Sequence, residues 1–309
     1  DNQVDSLPEA LGACAPLQKL MLAGNRLHRL PDSLARCQQL ELVRLAANRF
    51  ETIADALPHG LLALPRLAWL AHAGNPFAAA LDRQAAAGAT AMPIDWSTLQ
   101  LQGLLGEGAS GLIHAATWQT GTAAARLVAV KLFKGAVTSD GLPRSEMAAS
   151  MAAGDHAHLV GVLGRLTGHP DGTAGLVLRR IPPGHANLAG PPSLDSCSRD
   201  VYAPGLRLGA APAQAIAHGM QAALDHLHLQ GLAHGDLYAH NILADARGQA
   251  LLGDLGAASF LPVNDPVRRA ALQRIDRRAL AVLLAELAGL CDEPVTALQL
   301  QADARRLQA

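Results

Sequence analysis

Residues 17–27, LQKLMLAGNRL, place apolar and polar side chains in the order L-x-x-L-x-L-x-x-N-x-L, through Leu17, Leu20, Leu22, Asn25 and Leu27. The order recurs at Leu40, Val43, Leu45, Asn48 and Phe50, and again at Leu67, Leu70, Asn75 and Phe77, where His72 takes the place of the inner leucine. Upstream, Leu7, Pro8, Leu11, Cys14 and Leu17 return 23 residues later as Leu30, Pro31, Leu34, Cys37 and Leu40. From Asn48 to Asn75 the interval is 27, so the connecting PHGLLALP carries a four-residue insertion. This spacing is neither helical nor heptad, and Pro8, Pro31, Pro58 and Pro65 interrupt it. Each unit is therefore predicted to give a short strand with inward leucines and a turn held by an asparagine side chain. One such unit cannot bury its own apolar face, but about three stacked units can.

The pattern resembles the leucine-rich repeat family. The resemblance implies an α/β solenoid over residues 1–80 that binds a protein partner through its strand face, or that serves as a cap or spacer. On that face the expected exposed positions are Lys19, Met21, Leu42, Arg44, Trp69 and Ala71. The leading half-unit lacks a strand and the chain starts at Asp1, which suggests trimming or a fragment and leaves a removed targeting segment open. The alanine-rich stretch 81–95 has weak patterning and predicts a linker with one or two helical turns.

From Leu99 the pattern changes. Two strand-like segments flank GEGASG, so Gly106, Gly108 and Gly111 spell G-x-G-x-x-G in a hairpin, where a dinucleotide fold would need a helix next. A further strand, RLVAVKLF, carries Lys131, and a helix in PRSEMAASMAAG carries Glu146, 15 residues on. GLVLRRIPPG follows at 175–184, a long helix covers about Ala213 to Gln230, and the loop HGDLYAHN runs into the hairpin ILADARGQALLG and then DLG at 254–256.

In this order and spacing the segments resemble the protein kinase family over residues 99–290. The resemblance implies a two-lobed kinase-like domain at 96–309 and, with the preceding repeat, an α+β chain. It implies ATP and Mg²⁺ as cofactors. Backbone amides at Gly106, Gly108 and Gly111 would approach the phosphates, Lys131 would contact them, and Glu146 would orient Lys131. Backbone groups near Arg179 and Ile181 would meet adenine. Asp236 would orient the acceptor hydroxyl and take its proton, while Asn241 and Asp254 would hold magnesium; His234 would anchor the loop by packing.

Three departures bear on chemistry. Gly235 stands where the family carries an arginine that grips a phosphorylated activation loop, so activation of that kind is not expected. Tyr238 stands where Ser/Thr kinases carry a lysine that neutralises the transferred phosphate; His240 or an incoming arginine would have to replace it. No A-P-E follows DLG, only 22 residues separate Asp254 from Asp276, and Asp276 resembles the aspartate that opens the next core helix, so the C-lobe is expected to be abbreviated. A Ser/Thr-type or atypical protein kinase leads. A pseudokinase scaffold is one alternative, and a small-molecule hydroxyl kinase of the aminoglycoside or choline kinase type, which shares HGD followed by Asn, is the other.

Composition narrows the setting. A net charge of −1 gives no reason to expect nucleic acid as partner, and the apolar run ALAVLLAELAGL is too short to span a bilayer and carries Glu286. With no span between repeat and kinase, unlike the plant receptor kinases, both share one compartment. Cys14, Cys37, Cys197 and Cys291 form no CxxC pair, and reduced, packed thiols in a cytoplasmic protein are expected.

Overall fold

The computed structural model describes residues 2–88, 92–121, 124–135, 137–138 and 140–308. The repeated segments form three stacked coils, each with one three-residue strand: β1 (Lys19–Met21), β2 (Leu42–Arg44) and β3 (Trp69–Ala71), paired in parallel in the order β1-β2-β3. The register matches Leu20 to Val43 and Val43 to Leu70, so the repeated leucines stack. Leu27, Leu30, Leu34, Leu40, Leu45, Phe50 and Leu67 are fully or almost fully buried. The asparagines close the turns between coils. Asn48 donates from Nδ2 to Leu45 O (3.0 Å) within its coil and to Leu22 O (2.8 Å) in the coil before, while Asn75 Oδ1 accepts from the Asn48 amide at 3.0 Å. The four-residue insertion is taken up by two single-turn helices, α1 (Ile53–Ala56) and α2 (His59–Leu62), which place Leu61 and Leu62 in the core.

The stretch read as a linker carries helix α3 (Ala79–Gly88) and strand β4 (Met92–Asp95); positions 89–91 lie outside the described residues. β4 joins a six-stranded sheet in the order β4-β8-β9-β7-β6-β5, with β5 (Leu99–Glu107), β6 (Gly111–Trp118), β7 (Arg126–Phe133), β8 (Val162–Thr167) and β9 (Gly175–Arg179). All its pairings are antiparallel except β4 with β8. Helix α4 (Pro143–Ala152) follows β7, with Pro143 in the first turn, where a missing amide costs nothing.

The second lobe is mainly helical. Its long helices are α5 (Ala210–Leu229), α6 (Pro266–Leu290) and α7 (Pro294–Gln308). Short strands β10 (Ala186–Asn187), β12 (Ile242–Ala244) and β13 (Ala250–Leu252) form a small sheet, and β11 (Leu232–Ala233) pairs with β14 (Ser259–Phe260). Asp276 does not open a helix. Asp265 caps the N-terminus of α6 by accepting from the Arg268 amide, Pro266 follows it, and Asp276 lies in the middle of the helix. The abbreviated segment after DLG is thus shortened further by a helix that begins ten residues before Asp276.

The coils and the helical lobe share their apolar cores. Leu42, Ala68 and Trp69 pack in one cluster with Met220, Leu237, Leu280 and Leu284, and the repeat leucines pack in another with Leu261, Leu272 and Ile275. This corrects the expected exposed strand face: Leu42, Arg44, Trp69 and Ala71 are all buried, whereas Met21 is 47% exposed. An apolar strand face is driven against the nearest apolar surface, and here the same chain supplies that surface. Among the described residues no helix is long and apolar enough to cross a membrane.

Candidate active site

A cavity of about 540 Å³ lies between the six-stranded sheet and the helical lobe. Its upper wall includes Leu105, Gly106, Ala129 and Lys131; its lower wall includes His240, Asn241, Leu243 and Asp254; Arg179 to Ile181 form its back edge. Its lining combines apolar side chains such as Leu105, Ala129 and Leu243 with the polar groups of Lys131, Asn241 and Asp254, which suits a ligand that joins an apolar ring to charged groups.

The alternation of β7 puts Lys131 on the cavity side, and α4 brings Glu146 to it. Lys131 Nζ and Glu146 Oε1 form a buried ion pair. Burial pushes the Glu146 carboxyl above the usual carboxylate range, opposed by Lys131 and reinforced by the nearby Asp254. Gly106 is on the cavity wall, but Gly108 and Gly111 are not. Gly108 donates its amide to Gly111 O at 2.9 Å, and a Cβ at Gly111 would come within 2.5 Å of Leu132 O, so Gly111 lets β6 pass close to β7.

The loop 234–241 is fixed from below. Asp276 accepts from the amides of His234 (2.8 Å) and Gly235 (2.9 Å) and contacts His228 Nε2 at 3.0 Å. Burial alone would raise the Asp276 carboxyl; the His228 contact and the amides outweigh it and hold the group below the usual range. His234 is wholly buried, with Nε2 3.1 Å from Gly253 O and Nδ1 accepting the Asp236 amide at 3.2 Å. Its ring joins the loop to the strand before Asp254, which is an anchoring geometry.

Asn241 Nδ2 donates to Asp236 O (2.9 Å) and Asp236 Oδ2 (3.1 Å), which leaves its amide oxygen as the group able to meet a cation. Asp254 has φ +50°, a left-handed conformation that costs a non-glycine residue about 1–2 kcal/mol, and its Oδ1 accepts the Gly256 amide at 3.0 Å. Strain held by a tight local turn aims this carboxylate at the cavity. Among the described residues no cluster of three or more His, Cys, Asp or Glu is arranged to hold a metal alone. A hard oxygen pair, one carboxylate and one amide, fits Mg²⁺ held jointly with phosphates, since that ion usually takes only one or two protein carboxylates.

Sequence reasoning missed the contribution of the coils to this loop. The Leu70 amide donates to Gly235 O at 3.0 Å, and Trp69 Nε1 donates to Leu237 O at 3.0 Å. The rings of Trp69 and Tyr238 stack with centroids 4.2 Å apart and planes 9° from parallel. Arg44 ion-pairs with Asp236, and its Nε is 3.0 Å from Asp140 Oδ1. The only signal in the sequence was the coincidence of a buried-type tryptophan and an arginine on a strand face with Gly235 and Tyr238 in the loop.

A model of the family described as protein tyrosine and serine/threonine kinase matches residues 99–281, more than half of the chain. The chain belongs to that family. The match takes in the cavity, the Lys131–Glu146 pair and the loop from His234 to Asn241, and ends within α6. No curated protein matches the chain. The coils lie outside the matched kinase segment yet touch its loop at Gly235, Asp236, Leu237 and Tyr238.

Proposed function

We propose that the chain is an ATP- and Mg²⁺-dependent protein kinase whose N-terminal coils are a short leucine-rich repeat built onto the kinase domain. The observation that carries this reading is the buried Lys131–Glu146 pair on one wall of a cavity whose opposite wall presents Asn241 and Asp254. In this reading adenine lies against Ala129 and the backbone at Arg179 to Ile181, and Gly106 lies over the phosphates, with Gly108 and Gly111 shaping the hairpin. Lys131 contacts the phosphates, and Asn241 and Asp254 hold the magnesium ion, which neutralises charge on the transferred group. Asp236 orients the acceptor hydroxyl. The acceptor is read as Ser/Thr-type, and the domains as the coils over 1–80 and the kinase-like domain over 96–309, with β4 of the intervening 81–95 added to the kinase sheet. A protein partner of the repeat would meet it at the β1 edge around exposed Met21, because β2 and β3 are covered.

One observation favours a second reading. Asp236 is only 7% exposed beneath the coils, which suits a scaffold that binds nucleotide without transferring phosphate. Transfer of labelled γ-phosphate from Mg-ATP to the chain and to a protein mixture separates the two. Label that disappears in both Asp254→Ala and Asp236→Ala supports the kinase. Nucleotide binding that needs Asp254 without any transfer supports the scaffold, and label on small hydroxyl compounds alone would point to a small-molecule kinase.

A further inference from the structure

The two oxygens of Asp236 are held by different parts of the chain. Asn241 Nδ2 reaches Oδ2 at 3.1 Å from within the loop, and Arg44 Nη2 reaches Oδ1 from β2. The same guanidinium donates Nη1 to Gly235 O at 3.3 Å and sets its Nε 3.0 Å from Asp140 Oδ1, in the segment leading into α4. Arg44 is 4% exposed, and the paired carboxylates Asp236 and Asp140 outweigh burial and keep it charged.

Residues 234–241 contain neither lysine nor arginine. Tyr238 is engaged in the stack on Trp69, and His240 turns its Nδ1 to Asp200 Oδ1 at 2.7 Å. Gly235 has φ +74°, and a Cβ there would lie 2.5 Å from Leu70 O, so the loop is shaped to receive β3 and, beside it, the strand that carries Arg44.

We propose that Arg44, supplied by the repeat, is a positioning residue for phosphoryl transfer: it fixes the Asp236 carboxylate for the acceptor hydroxyl. This rests on the kinase reading above. In the step it serves, the acceptor oxygen bonds to the γ-phosphorus, its proton passes to Asp236, and the bond from the γ-phosphorus to the β–γ bridging oxygen breaks with its electrons leaving on ADP. A guanidinium fork held by Gly235 O and two carboxylates keeps Asp236 in one rotamer without occupying Oδ2.

The test compares Arg44→Gln, Arg44→Lys and Asp140→Asn in the full chain by steady-state phosphotransfer, with Mg-ATP affinity measured separately because Arg44 is not on the nucleotide cavity wall. Arg44→Gln is expected to lower kcat about 100-fold while KM for ATP and Mg-ATP affinity change less than about twofold. Arg44→Lys keeps the charge without the fork and is expected to recover about a tenth of wild-type kcat. If Arg44→Gln fails to fold, Arg44→Lys carries the test, with a roughly tenfold fall in kcat at unchanged KM. Asp140→Asn leaves the Arg44–Asp236 pair in place and is expected to cost less than about threefold. An unchanged or raised kcat in Arg44→Gln, or an equal fall in Asp140→Asn, overturns the proposal while leaving the kinase reading intact. A wild-type chain that binds Mg-ATP and phosphorylates nothing overturns the kinase reading and this proposal with it.

Discussion

At the scale of single residues, the departure of His72 from the repeat pattern is explained by what touches it. His72 replaces an inner leucine of the repeat, is 2% exposed, and shares a hydrogen bond with Ser259 across the interface, Oγ to Nε2 at 3.0 Å. Burial drives its imidazole from 6.5 down to about 4. The unfolded chain therefore takes up a proton as pH falls through about 6.5, while the folded chain resists until about 4. Stability from this group is complete above that window and declines across it by about 3 kcal/mol. Glu286, whose carboxyl burial pushes up to about 7, responds in the opposite sense over the same window, so the loss is read as the difference between the wild type and His72→Leu in urea unfolding at neutral pH and near pH 5. His72→Leu should remove this group's share of the acid response while costing about 1–3 kcal/mol at neutral pH through the unpaired Ser259 hydroxyl; equal acid sensitivity in both proteins would contradict the assignment. The residue identities of the candidate site were legible in the sequence because its chemistry sits in short segments of fixed spacing, Lys131 with Glu146 and Asp236 with Asn241. The pairing of Arg44 with Asp236 was not, since 192 residues separate the partners and neither strand spacing nor loop spacing encodes which surface meets which.

Among the elements, β3 is the one that joins repeat to catalytic loop. Its Trp69 stacks on Tyr238 and hydrogen-bonds Leu237 O, and its Leu70 amide takes Gly235 O. Gly235 is the matching feature on the other side, because its positive φ and the 2.5 Å approach of Leu70 O leave no room for a Cβ. Gly235→Ala is expected to destabilise the chain by about 2–4 kcal/mol through strain and displacement of β3. Trp69→Ala should cost about 3–5 kcal/mol by opening a cavity against Tyr238. Chemical denaturation of each variant checks both figures, and losses under about 1 kcal/mol would mean that β3 does not hold the loop. Strands β1 to β3 and β5 to β7 and helices α4 and α5 were readable from apolar spacing and from glycine and proline positions, whereas β4, inside the stretch read as a linker, and α7, in the stretch read as a short tail, were not. The start of α6 was not, because its first two turns, PVRRAALQ, carry a weak apolar stripe and are set by the Asp265 cap.

Across the whole molecule, the coils and the helical lobe are expected to unfold as one cooperative unit. Repeat leucines share a core with Leu261, Leu272 and Ile275, while Trp69 and Leu42 lie in the core of α5 and α6. Two further contacts join the bodies: Arg278 Nη1 donates to Leu67 O at 3.3 Å, and Glu41 accepts from Arg199 Nη2 at 3.1 Å. The sequence announced two regions by two different periods, and nothing in either period signals that their apolar faces cover each other. The shortened segment after DLG was the nearest hint, since a lobe that lacks its usual covering leaves apolar surface to be filled. The most direct measurement is equilibrium unfolding of a Trp96→Phe, Trp118→Phe chain, followed by Trp69 fluorescence at the interface and by far-ultraviolet circular dichroism of the helices. Coincident transitions with one midpoint are predicted. A Trp69 transition at clearly lower denaturant, with the helical signal retained, would show that the repeat detaches from a kinase domain that stands without it and would contradict the account.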